Sequence, residues 1–513
     1  MRPTSFRLSR RRLLAGAALL APLAVLRHGR AQSADPFTLG IASGCPRPDR
    51  VVLWTRLAPQ PLEGGGMPDQ PVPVEWEVAA DERFERIVRR GTFDAVPAHG
   101  HTVHAEPTGL EPGRPYWYRF RAMGVESPVG RTRTAAAAGA PLERFRFAFA
   151  SCQMYEHGYF SAYRHMAADD LDLVVHLGDY IYEMSWGRRH VRRHNAAIPT
   201  ELWEFRDRWA LYKSDPDLRT AHEAAPWVAI WDDHEVANDY TGDRSPRMGD
   251  PAQFLRVRAA AYQSYWEHMP LPMAAAPSGS AMRIYDRYRF GDMLDLTLLD
   301  DRQYRSHPPC GGGRTSATST ADCSERGDAA RTMLGAEQER WFAERMADAQ
   351  GRWTIVAQQT LMAELDRKAG EGKSFWMDGW DGHPAARERL LGAIAAGRPA
   401  NPVVISGDVH AFWAADLKQD FANPASPTLA SEIVGTSISS QGPSESTIRT
   451  GLAENPHIRY ARGDKRGYVR MTLEKRSARA DLFAVDDPFE PASAVSPLTA
   501  FAIEDGRPGV VPA

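Results

Sequence analysis

Five apolar, strand-like runs in this chain end in residues that ligate cations or move protons. Phe145 to Ala150 stops at Ser151-Cys152, and Leu171 to Leu177 runs into Gly178-Asp179-Tyr180-Ile181-Tyr182. Val228 to Trp231 opens into Asp232-Asp233-His234-Glu235, Met293 to Leu299 into Asp300-Asp301-Arg302, and Pro402 to Ser406 into Gly407-Asp408-Val409-His410. In open α/β sheets, ligands bind beyond the carboxyl ends of the strands. Side chains presented from successive strand ends can converge on one point, which is how a two-cation site is assembled. Two cations need a bridging anion, and Asp179 is the natural one because the glycine before it lets the backbone come close. One acidic strand end alone would be a turn, and one cysteine alone a small buried hydrophobe. Five together point to a metal site. His234, set among three acids, is either a ligand or the group that protonates a leaving group or holds a phosphoryl oxygen.

The elements that must position these residues follow from the same patterns. Beyond about residue 143, apolar strand runs alternate with helix-like stretches at Glu201 to Lys213, Pro251 to Met269 and Leu334 to Met346. Tyr285 to Phe290 and Met293 to Leu299 pair across a Gly291-Asp292 turn, and Tyr468 to Phe483 returns to strand-like alternation. The fold class expected for 143–500 is therefore layered α/β with much β. Residues 36–134 read differently. Short strand patterns at Val51 to Leu57, Val72 to Val78, Ile87 to Phe93, His101 to Glu106 and Tyr116 to Arg121, separated by Pro/Gly turns, predict a β-sandwich of the immunoglobulin or fibronectin kind. Ala135 to Pro141 reads as a linker between the two.

Composition narrows the class. The 513 residues are 43% hydrophobic and 25% charged, ordinary for a globular protein, and their formal charge of −3 gives no footprint for a nucleic-acid partner. The basic head Ser9-Arg10-Arg11-Arg12-Leu13-Leu14, the apolar stretch to Leu26 and the small residues Gly29 and Ala31 describe a signal peptide over 1–31. Its paired arginines resemble a twin-arginine signal, which predicts export by that machinery, a periplasmic or secreted mature protein and no stable membrane span. Of the four cysteines, Cys310 and Cys323 bracket a Gly/Ser/Thr-rich loop that a disulfide would close, a constraint of about 3 kcal/mol. Cys45 and Cys152 either pair with each other or remain thiols, and in the first case Cys152 could not ligate.

The order Gly178-Asp179, Asp233-His234-Glu235, Gly407-Asp408-Val409-His410 resembles the calcineurin-like metallophosphoesterase pattern. The specific variants are similar to those of the alkaline phosphatase D (PhoD-like) family: Cys152 after Ala150-Ser151, Tyr182 completing GDxxY, DDHE, and GDVH. Gly40 to Gly44, Asp301 to Tyr304 and Trp380-Asp381-Gly382 extend the resemblance over nearly all of the mature chain, although Cys45 stands where relatives commonly have Asp. The resemblance implies an α/β/β/α-type catalytic domain and a phosphoester hydrolase in which a metal-activated hydroxide or oxygen attacks phosphorus in line. It implies Fe(III) and Ca(II), with Cys152, Asp179, Tyr182 and His410 around iron and Asp179, Asp233 and Asp408 around calcium. Thiolate and phenolate suit iron and all-oxygen ligation a hard cation. His234 would be the catalytic proton donor or phosphate ligand. Asn238, Arg258, Arg302 and Arg305 are candidates to bind substrate, with His383 as a weaker one. Two other readings stay open: a phospholipase D-like phosphodiesterase and a non-catalytic, metal-loaded binding protein.

Overall fold

Two facing β-sheets hold the reactive strand ends between them. The computed structural model describes residues 35–310, 318–320 and 323–513, so the expected signal segment 1–31 lies outside the described residues. In a ten-stranded sheet, Arg144–Ala150, Leu173–His176 and Trp227–Ala229 run parallel, with Val175 opposite Phe149 on one side and Val228 on the other. Gly467–Glu474 lies antiparallel to Arg144–Ala150 and begins an antiparallel meander through Ser477–Val485, Val495–Glu504 and Arg507–Pro512. In a seven-stranded sheet, Leu294–Leu298, Trp353–Ala357, Pro402–Ser406 and Thr428–Val434 are parallel, and Asp286–Phe290 is the hairpin partner of Leu294–Leu298. The parallel strands read as continuous apolar runs because both of their faces are covered. Every residue of Leu173–His176 and Trp353–Ala357 is buried.

That burial builds the layers. Phe147, Val175, Leu296, Ile355 and Ile405 belong to one apolar cluster joining the two sheets. Phe205, Trp209 and Tyr262, from helices Leu202–Lys213 and Pro251–His268, join the same cluster on the outer side of the ten-stranded sheet. On the outer side of the seven-stranded sheet, Val356 and Val404 pack with Phe342 and Leu390 of helices Gly335–Ala347 and Pro384–Gly397. The result is helix, sheet, sheet, helix.

The N-terminal sandwich shares a leaf with this assembly. Ile41–Gly44, Val52–Arg56 and Thr102–Ala105 extend the ten-stranded sheet, Gly44 pairing in parallel with Trp227. The other leaf is a five-stranded sheet whose Val74, Val78, Tyr118 and Phe120 pack on Ile41, Leu53 and Val103. The stretch read as a linker is tied down at both ends: Ala135 N donates to Arg47 O (3.1 Å) and Gly139 N to Gly291 O (3.2 Å). Asp35–Ala513 is one compact unit.

Gly178 sets how closely two strand exits approach. Its φ is +103°, and a Cβ at this position would lie 2.5 Å from Asp232 Cβ and 2.6 Å from Asp232 N. A side chain would therefore meet both backbone strain and an immovable neighbour. Gly178→Ala is expected to cost about 1–3 kcal/mol of stability, read as a lower chemical-denaturation midpoint. An unchanged midpoint would contradict the close approach.

Candidate metal centre and active-site pocket

The strand exits are tied to one another before any side chain reaches the pocket. Cys152 N donates to Gly178 O and Gln153 N to Asp179 O, each at 3.1 Å. Glu235, the last acid of the DDHE run, accepts from Tyr180 N (2.6 Å) through one oxygen and from Asp232 N (2.9 Å) through the other. Gln359 joins the two sheets: its amide nitrogen donates to Trp231 O (2.8 Å) and Leu299 O (3.2 Å), and its amide oxygen accepts from Asp301 N (3.2 Å). Cys152, Asp179, Asp408 and His410 all have left-handed backbone, with φ of 59°, 56°, 61° and 51°. Such conformations are unfavourable for residues with a Cβ, so the surrounding hydrogen bonds must hold them, and they concentrate where a site needs an unusual side-chain direction.

The side chains then converge on Asp179. Ligand atoms of Cys152, Asp179 and His410 lie within 4.8 Å of one another, and so do those of Asp179, Asp233 and His234. Asp179 belongs to both groups. Tyr182 completes the first, its hydroxyl 2.8 Å from Asp179 Oδ2 and 3.2 Å from His410 Nε2. Ser440 supports it, with Oγ 2.7 Å from the Tyr182 hydroxyl and 2.8 Å from Cys152 O. Asp408 lines the same pocket without joining either tight group.

The electrostatics ask for cations. Asp179 Oδ1 and Asp408 Oδ2 are buried without a hydrogen-bond partner among the described residues, a costly state for an anionic oxygen. Burial pushes the Cys152 thiol well above its usual range, and the charges of Asp179 and Asp408 push it further. The Tyr182 phenol is raised in the same way, by burial and then by Asp179 and Cys152. Neither group becomes an anion here without added positive charge. A metal ion supplies it, since coordination deprotonates thiol ligands outright. Donor types, orphaned oxygens and suppressed ionisation all fit a metal centre.

Arg302 is the buried cation beneath the carboxylates. It is wholly enclosed, pairs with Asp232, and lies 2.8 Å from Asp378 Oδ2 and 3.6 Å from Asp233 Oδ1. Burial alone would raise Asp233, but Arg302 and His234 bring it down to about 2. Burial alone would likewise depress His234. Glu183 offsets it, 2.6 Å from Nδ1, and with Asp233 and Asp179 holds the imidazole well above its usual pKa. The other oxygen of Glu183 accepts from Asn238 N (2.9 Å).

Above the carboxylates lies a pocket of about 330 Å³. His234, Asn238 and His410 reach it from below, and Trp186, Trp376, Trp413 and Arg367 stand in its walls. Several sequence expectations need correction. Arg302 is a buried support for the acids, not a substrate contact. Arg258 turns away to Gly242 O and stacks on Tyr262, with its guanidinium carbon 5.4 Å from the ring centroid. Arg305 is spent on Asp301 O and Asp378, and His383 is buried against Gly379 O and Ser306 O. His157 and His194 have buried side chains outside the pocket, and His157 Nε2 donates to Trp186 O at 2.7 Å. Asn238 does reach the pocket, from a run of tight turns rather than a helix: both Val236 N and Ala237 N close back on Asp233 O. Glu183, Ser440, Arg367 and the three tryptophans were missed. Only Glu183 had a sequence signal, its place directly after GDxxY.

Comparison with known proteins fits this geometry. The PhoD-like phosphatase model matches residues 147–482, and the model of the PhoD-like phosphatase N-terminal domain matches 23–136. The chain belongs to the PhoD-like phosphatase family. It is 45% identical over 487 residues to alkaline phosphatase D of Bacillus subtilis (strain 168), covering 93% of this chain and 82% of that protein. A solved structure described as that of PhoD superposes with a TM-score of 0.90 at 44% identity, covering 94% of this chain and 92% of the other. The PhoD-like fold therefore includes both the shared-leaf sandwich and the layered α/β body described above. No helix among the described residues is long and apolar enough to cross a membrane.

The cysteines give a direct check. Cys310 and Cys323 are disulfide-bonded, whereas Cys45 and Cys152 are separate buried thiols. Denatured, metal-free, unreduced protein should therefore titrate two thiols, and reduced protein four. No reactive thiol before reduction would mean that Cys45 and Cys152 pair.

Proposed function

We propose that this chain is an exported, metal-dependent hydrolase of phosphoesters, with alkaline phosphatase and phosphodiesterase activity. Cys152, Tyr182 and His410 would hold Fe(III) on one side of Asp179, and Asp233 and Asp408 would hold Ca(II) on the other. The observation that carries the reading is the membership of Asp179 in both ligand groups. A thiolate, phenolate and imidazole set on one side and an oxygen-rich set on the other favours unlike cations. When bound, the cations supply positive charge for the phosphoryl oxygens and activation of the attacking oxygen nucleophile.

The rest of the chemistry falls to the chain. With Nδ1 engaged by Glu183, Nε2 is the free ring nitrogen of His234, and it delivers a proton to the leaving-group oxygen as the ester bond breaks. Asn238, fixed at its backbone by the same Glu183, presents its amide to a phosphoryl oxygen. The tryptophan walls take the organic part of the ester and keep bulk water from the reacting centre. The twin-arginine-type head supports export in the folded state, with cations loaded before the protein leaves the cytoplasm.

The test is hydrolysis of chromogenic phosphomonoesters and phosphodiesters by metal-loaded protein. Activity should disappear on chelation and fall about 10³-fold or more in Asp179→Ala. The loaded protein should show a visible tyrosinate–iron band that Tyr182→Phe abolishes. A metal-loaded protein inert toward both ester classes over a broad pH range would instead support the binding-protein reading. A second test concerns His234. Removing the negative charge of Glu183 lowers the imidazole pKa, so Glu183→Gln should shift the alkaline limb of kcat/KM to lower pH. An unshifted limb would remove His234 as the acid.

A further inference from the structure

Arg367 is the one lysine or arginine lining the pocket among the described residues, and neither the sequence patterns nor the metal groups account for it. Several other buried arginines of this chain are spent on acids. Arg302, Arg305 and Arg387 each hold carboxylates at ion-pair distance. The guanidinium of Arg367 has no hydrogen-bond or ion-pair partner among the described residues, and its Nε is buried and unsatisfied. It lies over the Trp376 ring, whose centroid is 5.3 Å from Cζ. It lines the same pocket as Asp408, and the charges of Asp381 and Asp408 act on it.

The backbone beneath Arg367 is rigid. Its own N donates to Ser374 O (2.8 Å), and the buried Asp366 accepts from Lys368 N and Ser374 N, each at 3.0 Å. Asn455 clamps Asp366 from behind, accepting from its N (3.0 Å) and donating to its O (2.9 Å). The short strand Ser374–Trp376 pairs in turn with Thr318–Thr320, inside the segment closed by the Cys310–Cys323 disulfide. A free guanidinium on so well-fixed a turn is preorganised for an anion, and its planar fork matches two oxygens of a phosphoryl group. Stacking on Trp376 keeps it oriented while desolvated.

We propose that Arg367 is a phosphoryl-binding residue of the pocket beside Asn238, pairing with non-bridging oxygens of the ester and with the charge that grows on them during in-line displacement. This inference rests on the phosphoester reading of the site. The probe is inorganic phosphate, titrated calorimetrically into metal-loaded wild type, Arg367→Ala and Arg367→Lys, alongside kcat/KM for an aryl phosphodiester and metal content. The expected result is at least about tenfold weaker phosphate binding and about 10²-fold lower kcat/KM in Arg367→Ala, with metal content unchanged and partial recovery in Arg367→Lys. Phosphate affinity unchanged in a metal-replete Arg367→Ala overturns the proposal. If the alanine variant misfolds or loses metal, the neutral Arg367→Gln decides, and affinity within twofold of wild type overturns it. Should wild type hydrolyse no ester yet bind phosphate through Arg367, the hydrolase reading fails and the assignment of Arg367 stands.

Discussion

Asp179 is a buried carboxylate with one unpartnered oxygen, held in left-handed backbone between two sets of ligands. Much of the site architecture answers the problem it poses. Asp232, Asp233 and Asp408 lie close enough for their charges to act on one another, while Arg302 is the enclosed cation beneath them. Like charges so near each other cannot all stay ionised without counter-charge. Arg302 meets part of the need, and the burial that keeps Cys152 and Tyr182 neutral leaves the remainder to metal ions. Cation binding and ionisation of the site are thus one event.

The fold meets this requirement by bringing parallel strand ends from both sheets to one junction. Each sheet supplies some candidate ligands: Cys152, Asp179 and Asp233 follow strands of the ten-stranded sheet, and Asp408 and His410 follow Pro402–Ser406 of the seven-stranded sheet. Neither sheet holds a complete site. Gln359, bonded to both, and Glu235, bonded to two neighbouring exits, fix the distance between halves that the ligands must span. The N-terminal strands prolong the ten-stranded sheet beyond Trp227–Ala229 and cover that edge.

Much of this was legible in the sequence because strand exits are local features. An apolar run followed by Gly-Asp or Asp-Asp-His-Glu identifies itself, and the candidates Cys152, Tyr182, Asp233 and His410 lie around Asp179. What could not be read was the destination of long, flexible side chains. Arg258, Arg302 and Arg305 look alike as letters, yet tertiary packing sends each to a buried acceptor, while Arg367 lies in an unremarkable stretch between Leu365 and Lys368. His157 and His194 have no partners at sequence spacing, and it is packing from the Trp186 loop and Tyr212 that buries them. The shared leaf of the sandwich was equally hidden, since a strand pattern does not reveal which sheet it joins.

The central claim is that Asp179 joins two unlike cations, and diffraction from the isolated protein tests it most directly. Anomalous difference maps collected above and below the iron edge should show one iron peak on the Cys152, Tyr182 and His410 side of Asp179. A second, non-iron cation should lie on the Asp233 and Asp408 side, each contacting one oxygen of the shared carboxylate. A single cation, two identical ones, or peaks that leave Asp179 uncoordinated would contradict the account.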